Sequence, residues 1–249
     1  MKFITYSTSL IHILFAFTMC CFFVGCKDTD KPTKVLLITG GHDFDKVDFF
    51  EMMDEIPNAT YEHVEHPNAY AMLAPDKIKK FDVVVLYDMP KEIPSDAQQD
   101  FLKMLVQGKG LIVLHHAYCS YDFWPEYTQI VGGRFHHFPW KKDGVEQPVS
   151  VYKHDVTFDV KVIDDNHPVT KDVSDFTITD ETYGLTEILP GIYPLLATDE
   201  STSSPLVGWA NQYANSRVVT LTLGHDAHAW RNPSFRKILS QAIHWTKKE

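Results

Sequence analysis

The pattern of hydrophobic and polar positions predicts buried strands alternating with amphipathic helices in the first half of the chain. Three runs of strand length are apolar without alternation: 34–39 (KVLLIT), 81–88 (FDVVVLYD) and 110–116 (GLIVLHH). Such runs are typical of strands buried on both faces of a parallel sheet. Between the second and third runs, apolar residues recur at helical spacing. There Ser95 and Gln98 fit a capping box and Gly108 a helix stop, which predicts a βαβ unit.

Further along the chain the pattern predicts more strands and a final helix. A helix is expected over Val47–Ile56 and an edge strand over 61–66. Extended segments are expected at 147–164, 192–198, 205–211 and 217–226. Asn232 and Pro233 fit the start of a C-terminal helix with one apolar face. We therefore predict one α/β domain over 34–249, with a doubly wound parallel sheet flanked by helices. A β-rich excursion is expected between about Arg134 and Asn211.

The first residues follow a different pattern, one Lys and then an apolar run that ends at Cys26. The segment Phe23–Cys26 (FVGC) resembles a bacterial lipobox, and 27–30 (KDTD) resembles the export signal of surface lipoproteins in Bacteroides-like bacteria. We predict a lipoprotein signal peptide over 1–25, lipidation of Cys26 and a tether over 26–33. The protein is then expected to be an exported outer-membrane lipoprotein, facing either the periplasm or the cell surface. An uncleaved apolar helix is the alternative for this segment.

Composition narrows the classes of partner. The 249 residues are 44% hydrophobic and 13% aromatic, which is typical of a folded domain. A formal charge of −10 argues against nucleic acid and against anionic membrane surfaces as partners, so membrane contact is expected only through the lipid. Of the four cysteines, Cys119 alone follows the predicted tether, so no internal disulfide is expected.

Polar residues cluster where several of the predicted strands end. These segments are 40–43 (GGHD), 115–116 (HH), 179–184 (TDETYG) and 224–230 (GHDAHAW). Ligands of open α/β sheets bind beyond the carboxyl ends of the strands, so the four segments are expected to meet there. Imidazoles bind transition metals and exchange protons near neutral pH, although a histidine at a strand end is also a common packing residue. His63, His66, His154 and His244 are interpreted as surface or local structural residues.

Other signatures of enzyme chemistry are not found in the sequence. It contains no G-x-S-x-G elbow, no G-x-x-x-x-G-K-[ST] phosphate loop, no G-x-G-x-x-G fingerprint and no H-E-x-x-H helix. Cys119 has no evident activating neighbours, so we interpret it as a structural thiol.

Four ordered motifs together resemble the ThuA-like (trehalose-utilisation) family. They are 35–45 (VLLITGGHDFD), 110–140 (GLIVLHHAYCSYDFWPEYTQIVGGRFHHFPW), 165–184 (DNHPVTKDVSDFTITDETYG) and 216–230 (SRVVTLTLGHDAHAW). The resemblance implies a flavodoxin-like fold similar to class I glutamine amidotransferases. Those relatives carry a nucleophilic cysteine in a glycine-flanked elbow, and here that place reads LHHAY, so glutamine hydrolysis is not expected. The resemblance also implies disaccharide catabolism, in particular of 3-keto-glycosides.

The first functional hypothesis is an enzyme, a hydrolase, lyase or isomerase that acts on a 3-keto-glycoside or related sugar. A keto group acidifies the neighbouring C–H, which a base could then remove. His116 or His225 is the predicted base, Glu181 the carboxylate, and His115 completes the catalytic group, while Asp180 is expected to orient. Residues predicted to contact substrate are His42, Asp43, Tyr118, Trp124, Arg134, Tyr183 and Trp230. For Asp43 and Arg134, helix capping and ion pairing are the alternatives.

A metal could assist this chemistry. His116, His137 and His225, with Glu181, would form a mixed nitrogen and oxygen site suited to zinc. Two functional alternatives stay open: a non-catalytic carbohydrate-binding lipoprotein, and a scaffold within a sugar-uptake complex. The oligomeric state is also left open.

Overall fold

The structure is a computed structural model that describes residues 1–3 and 31–248. The chain divides into two units, Met1–Lys31 and Pro32–Glu249. Nearly all of the predicted signal peptide, the predicted lipidation site Cys26 and most of the predicted tether lie outside the described residues. Within the part of the chain that is described, no helix is long and apolar enough to cross a membrane.

The first half of the larger unit alternates strands and helices, as the apolar runs predict. Its elements are β1 (Thr33–Gly40), α1 (Lys46–Asp54), β2 (Ala59–Glu65), α2 (Pro75–Ile78), β3 (Val83–Asp88), α3 (Ser95–Val106) and β4 (Gly110–Leu114). Strands β3 and β4 are buried along their whole length. The third apolar run ends earlier than predicted, because residues His115–Cys119 form a 3₁₀ turn.

The second half is rich in strands and closes with two helices. Its elements are α4 (Pro125–Val131), β5 (Gly133–Arg134), β6 (Trp140–Lys142), β7 (Val145–Gln147), β8 (Val151–Val162), β9 (Phe176–Gly184), β10 (Glu187–Ile188), β11 (Tyr193–Ala197), β12 (Leu206–Tyr213), β13 (Ser216–Leu221), α5 (Ala227–Trp230) and α6 (Pro233–Thr246).

Nine of the described strands form one mixed sheet in the order β2-β1-β3-β4-β13-β12-β11-β8-β9. The strands from β2 to β13 in this order pair in parallel, and those from β13 to β9 pair antiparallel. The predicted α/β fold with a parallel sheet flanked by helices is therefore confirmed, as is the edge position of β2. The β-rich excursion supplies the antiparallel half of this same sheet. The strand order reverses at β1, which places a ligand-binding crevice at the carboxyl edge.

Alternate residues of the buried strands face two separate hydrophobic layers. Val35 and Leu37 of β1 belong to the layer that includes α1 and α6, and Leu36 and Ile38 belong to the layer that includes α3 and α4. Both faces of the strand are therefore covered. This two-sided burial explains why the strand runs are apolar without alternation.

The helix ends show one correct and one wrong prediction. The Asn232 side chain accepts hydrogen bonds from the backbone N–H groups of Ser234 and Phe235, at 3.0 and 3.2 Å, so it caps α6 as predicted. The predicted capping box of α3 is wrong. Its N-cap position is Pro94, whose ring has no hydrogen-bonding group, and the Gln98 side chain donates instead to the Ile93 carbonyl.

Candidate active site

Four chain segments meet at the carboxyl edge of the parallel strands, as the sequence predicts. They bring together His42 after β1, His115 and His116 after β4, Glu181 in β9 and His225 after β13. Strands β4 and β13 are parallel neighbours, so the residues that follow them lie side by side. Strand β9 is last in the sheet order, yet Asp180 accepts hydrogen bonds from the backbone N–H groups of Gly224 and His225, at 2.7 and 2.9 Å.

His115 is fixed in one orientation by its backbone and by one hydrogen bond. It begins the 3₁₀ turn with φ of 50°, a left-handed conformation that non-glycine residues adopt rarely. Its buried Nδ1 atom lies 2.8 Å from the carbonyl oxygen of Thr222. A carbonyl only accepts, so Nδ1 carries the hydrogen. In the neutral ring, Nε2 then presents its lone pair to Glu181 Oε2, His225 Nδ1 and the Tyr183 hydroxyl, at 3.0, 3.1 and 3.0 Å.

Glu181 is the carboxylate that joins these imidazoles. Its Oε2 atom lies 3.0 Å from His115 Nε2 and 3.5 Å from His225 Nδ1, and its Oε1 atom lies 3.1 Å from His154 Nδ1. Burial raises the pKa of Glu181, but the three histidines together outweigh burial and hold its pKa below the usual value. Glu181 is therefore a carboxylate at neutral pH.

Asp180 orients the backbone around His225 and is not among the residues that line the neighbouring cavity. It also accepts a hydrogen bond from the backbone N–H of Glu181 at 2.9 Å, which makes three such bonds, and its burial raises its pKa to about 6. The carbonyl oxygen of Gly224 accepts hydrogen bonds from the Tyr87 hydroxyl at 3.2 Å and from the Trp230 indole at 2.9 Å. The segment that carries His225 is thus fixed from both sides.

His116 differs from its neighbours because its ring nitrogens are free. The side chain is buried, and neither Nδ1 nor Nε2 has a hydrogen-bond partner among the described residues. Its ring packs against Tyr87 and His42, with centroid distances of 4.1 and 4.6 Å. Burial, followed by the neighbouring imidazoles, lowers its pKa well below the ordinary value, opposed only by the Tyr87 backbone. His116 is therefore neutral at neutral pH, and buried nitrogens without partners are uncommon unless a ligand supplies one.

A cavity of about 190 Å³ opens beside these side chains. It is lined by His42, Met89, His116, Cys119, Phe135, His137, Tyr152, His154, Glu181 and Tyr183. A larger cavity of about 320 Å³ lies between α1 and α6, where its lining includes the ion pair of Glu55 and Arg236. Only the smaller of these two cavities has converging imidazoles and a carboxylate, so it is the candidate active site.

Three aromatic residues predicted to contact substrate are packed in the core. The Trp230 indole is fully buried and lies against Phe49, with a centroid distance of 5.3 Å. Tyr118 is buried and donates to the carbonyl of Glu187 at 2.6 Å. Trp124 packs against Phe101 and other aromatic residues in the α3 layer. The structure does not bring these three rings to the cavity, because each completes a hydrophobic layer.

Three polar residues predicted to contact substrate or metal also have other positions or partners in the structure. Arg134 donates to the backbone carbonyls of residues 121, 122 and 124 and to Thr128, so it holds the loop before α4. Asp43 is exposed, and the cap of α1 is Asp45. His137 lines the cavity but is paired with Asp122 at 2.6 Å. The predicted zinc ligands are therefore not the set that the structure brings together.

Sequence reasoning missed four residues that line the cavity, Met89, Phe135, Tyr152 and His154. His154, interpreted as a surface or local structural residue, instead pairs with Glu181. The register of β8 and β9 shifts between Lys153 and Val156, so His154 lies in a β-bulge. A bulge redirects side chains that simple alternation would place elsewhere. The alternating pattern of β8 contains no local signal for it.

Cys119 borders the cavity as a buried thiol. Burial raises the pKa of this thiol far above its ordinary value, which keeps it protonated at neutral pH. This supports the interpretation of Cys119 as structural, and it argues against a cysteine nucleophile of the amidotransferase kind.

Most of the chain matches one known protein family. Residues 34–246 match the sequence model of the ThuA family, described as trehalose utilisation. A comparison with curated proteins finds no significant match.

Solved structures with a similar fold include two ThuA-like proteins. One from Parabacteroides merdae is 21% identical, with a TM-score of 0.74 over 88% of this chain and 91% of that chain. One from Bacteroides uniformis is 16% identical, with a TM-score of 0.65 over 87% and 92%. A third, from Thermoplasma acidophilum and described as part of a GMP synthase, is 12% identical, with a TM-score of 0.50 over 86% and 93%. At these identities the likeness concerns the fold.

Proposed function

Since the chain belongs to the ThuA (trehalose utilisation) family, we propose that it is a carbohydrate-catabolism enzyme that acts on a 3-keto-glycoside by acid–base chemistry. One observation supports this most strongly. The neutral, buried His116, whose ring nitrogens have no hydrogen-bond partner among the described residues, lines a cavity whose wall also includes Glu181 and His154.

In the proposed reaction, His116 is the base. A keto group at carbon 3 of the sugar acidifies the hydrogen at carbon 2. His116 takes that proton reversibly, and the C–H electron pair passes into an enolate over carbons 2 and 3 and the keto oxygen. The enolate then reforms the keto group, and a double bond forms between carbons 1 and 2 as the bond from carbon 1 to the glycosidic oxygen breaks. The departing oxygen receives a proton from a donor of the site, and the products are an unsaturated keto-sugar and an alcohol. No oxidant or reductant is consumed, and a positioned base and acid supply the acceleration.

Glu181 and its histidines form a second polar group of the site. His154 Nδ1 and His225 Nδ1 lie 3.1 and 3.5 Å from its carboxylate oxygens, so the carboxylate orients both imidazoles. Tyr183 contributes a hydroxyl 3.0 Å from His115. A cavity of about 190 Å³ suits one sugar ring, and the exposed aromatic face of Tyr152 lies at its wall.

The binding-only alternative receives less support. Binding through aromatic faces alone would need several exposed rings, and the predicted Trp124, Trp230 and Tyr118 are buried in the hydrophobic layers. Tyr152 is the one exposed Phe, Tyr or Trp ring among the described residues that line the cavity.

The test uses a chemically prepared 3-keto-glucoside with a chromogenic alcohol, in D₂O. We expect release of the alcohol and exchange of deuterium into carbon 2 of the remaining substrate, whereas the matched glucoside without the keto group stays intact. The His116→Phe variant keeps a ring against Tyr87 and removes only the nitrogens, so it should fold and lose more than about 100-fold in turnover. Unchanged turnover in this variant, or alcohol release without exchange, would overturn the proposed mechanism.

We also propose that lipidation of Cys26 anchors the exported protein to the membrane. A Cys26→Ser variant expressed in a Bacteroides-like host should not incorporate radiolabelled palmitate. Equal incorporation in this variant and the natural chain would contradict the assignment of Cys26.

A further inference from the structure

We propose that His115, Glu181 and His225 together bind one zinc ion, and that this ion polarises the keto oxygen of the substrate. The role assigned to the ion rests on the proposed function, but binding itself can be measured without any substrate.

The spacing of the three ligand atoms fits zinc. Glu181 Oε2 lies 3.0 Å from His115 Nε2, His225 Nδ1 lies 3.1 Å from that same nitrogen, and the third side of the triangle measures 3.5 Å. Tetrahedral zinc with bonds of about 2.1 Å holds its ligand atoms about 3.4 Å apart. The three atoms can therefore bind one ion with little movement.

The chemistry of the facing atoms requires a positive species between them. Thr222 accepts the hydrogen of His115 Nδ1, so in the neutral ring His115 Nε2 is an acceptor. It faces a carboxylate oxygen of Glu181, which is also an acceptor, at 3.0 Å. Two acceptor atoms at this distance are held together by a shared proton or by a metal cation. Two histidines and one glutamate form a ligand set found in catalytic zinc sites.

Each ligand is also oriented by an outer partner, as in known metal sites. His115 is held by the Thr222 carbonyl, and the backbone of His225 is held by Asp180. The second oxygen of Glu181 contacts His154 at 3.1 Å. These contacts fix the ligand atoms before any ion binds.

The number of protein ligands points to a catalytic ion. Structural zinc sites use four protein ligands, whereas three leave a coordination position for a substrate or water oxygen. Glu181 is both a ligand and part of the cavity wall. An ion there would draw electron density from the keto oxygen while His116 removes the neighbouring proton, so no change of oxidation state is involved.

The experiment measures zinc binding to the whole chain. The purified protein is stripped with a chelator, and ZnCl₂ is titrated by isothermal titration calorimetry, with elemental analysis of the protein after gel filtration. We expect one zinc per chain. The His225→Ala and Glu181→Gln variants should bind more than about 100-fold more weakly, since losing even an outer partner reduces metal affinity about 10–100-fold. His228→Ala is the matched control, because His228 is an exposed histidine three residues from His225.

The outcomes separate the two proposals. Substoichiometric binding, equal binding in the His225→Ala variant, or loss of binding in the His228→Ala variant would overturn the zinc site. Stoichiometric zinc without turnover of the keto-glucoside would keep the site and reject the proposed reaction. Full turnover in stripped protein that binds no zinc would keep the reaction and reject the ion, leaving a shared proton between His115 and Glu181.

Discussion

The Nε2 atom of His115 lies 3.0 Å from the Oε2 atom of Glu181, although 66 residues separate them in the chain. One residue follows β4 in the parallel half of the sheet, and the other belongs to β9 in the antiparallel half. The contact therefore exists only when both halves of the sheet are complete. Formation of the candidate active site therefore requires the whole folded domain.

The two carboxylate contacts predict a graded effect on turnover. Glu181→Gln keeps the shape of the side chain and removes its charge, so kcat/KM on the keto-glucoside should fall at least about 100-fold. His154→Gln affects only one oxygen of the carboxylate and should lower kcat/KM about 10-fold. The double variant should be no worse than Glu181→Gln alone, because His154 acts through Glu181. Additive losses in steady-state kinetics would show that His154 acts independently.

Asp180 is predicted to stabilise the fold through the chain around His225. Asp180→Asn places an N–H donor where the carboxylate accepts from three backbone N–H groups, so the free energy of unfolding should fall by about 1–3 kcal/mol. Urea denaturation measures this change. Asp159→Asn, which alters an exposed contact with Thr177, is the control and should change stability by less than about 0.5 kcal/mol. Equal losses of unfolding free energy in the two variants would show that the buried contacts of Asp180 stabilise the fold no more than an exposed contact does.

Asp88 is predicted to make stability depend on pH. It is fully buried, and burial raises its pKa above 3.8, against the opposing hydrogen bonds of His66 and Tyr121. An acid whose pKa is raised by folding stabilises the folded state below its unfolded pKa, and that contribution is lost as pH rises through the folded pKa. Relative to Asp88→Asn, the natural protein should therefore lose stability above pH 3.8, by up to about 1.4 kcal/mol per pH unit.

Urea denaturation of both proteins at several pH values measures this difference. A difference that does not vary with pH would show that Asp88 keeps its ordinary pKa in the folded protein. A difference of the opposite sign would show that pairing with His66 dominates over burial.

A pair of glycine substitutions separates backbone strain from a steric clash. Gly41 and Gly191 have nearly the same positive φ, 83° and 88°. A Cβ atom at Gly41 would lie 2.6 Å from the Met89 carbonyl carbon, whereas nothing lies within 4 Å of one at Gly191. Both Ala variants should lose about 1 kcal/mol from strain, and Gly41→Ala should lose at least about 1 kcal/mol more from the clash. Equal melting temperatures would mean that the segment before His42 adjusts freely.

The amino-acid sequence by itself determined the parallel half of the fold and the edge where the site lies. Strands buried on both faces must be apolar throughout, so β1, β3 and β4 are visible as uninterrupted runs. Parallel strands end at one edge, so the polar residues after them were expected to meet. The start of α6 could also be predicted from the sequence, because Asn232 caps the helix and Pro233 occupies its first position, both through adjacent residues.

Only the tertiary structure decided which side chains face the cavity. A bulge in β8 directs His154 toward Glu181. Long-range packing buries Trp124 and Trp230 in the hydrophobic layers, whereas the residues next to them in the sequence would equally fit exposed, sugar-binding rings. The proposed metal-ligand set contains His115 in place of the predicted His116 and His137, because Thr222 orients His115 toward Glu181 and Asp122 pairs with His137. Apolar periodicity reports burial within one element, whereas these contacts join residues brought together only by the assembled sheet.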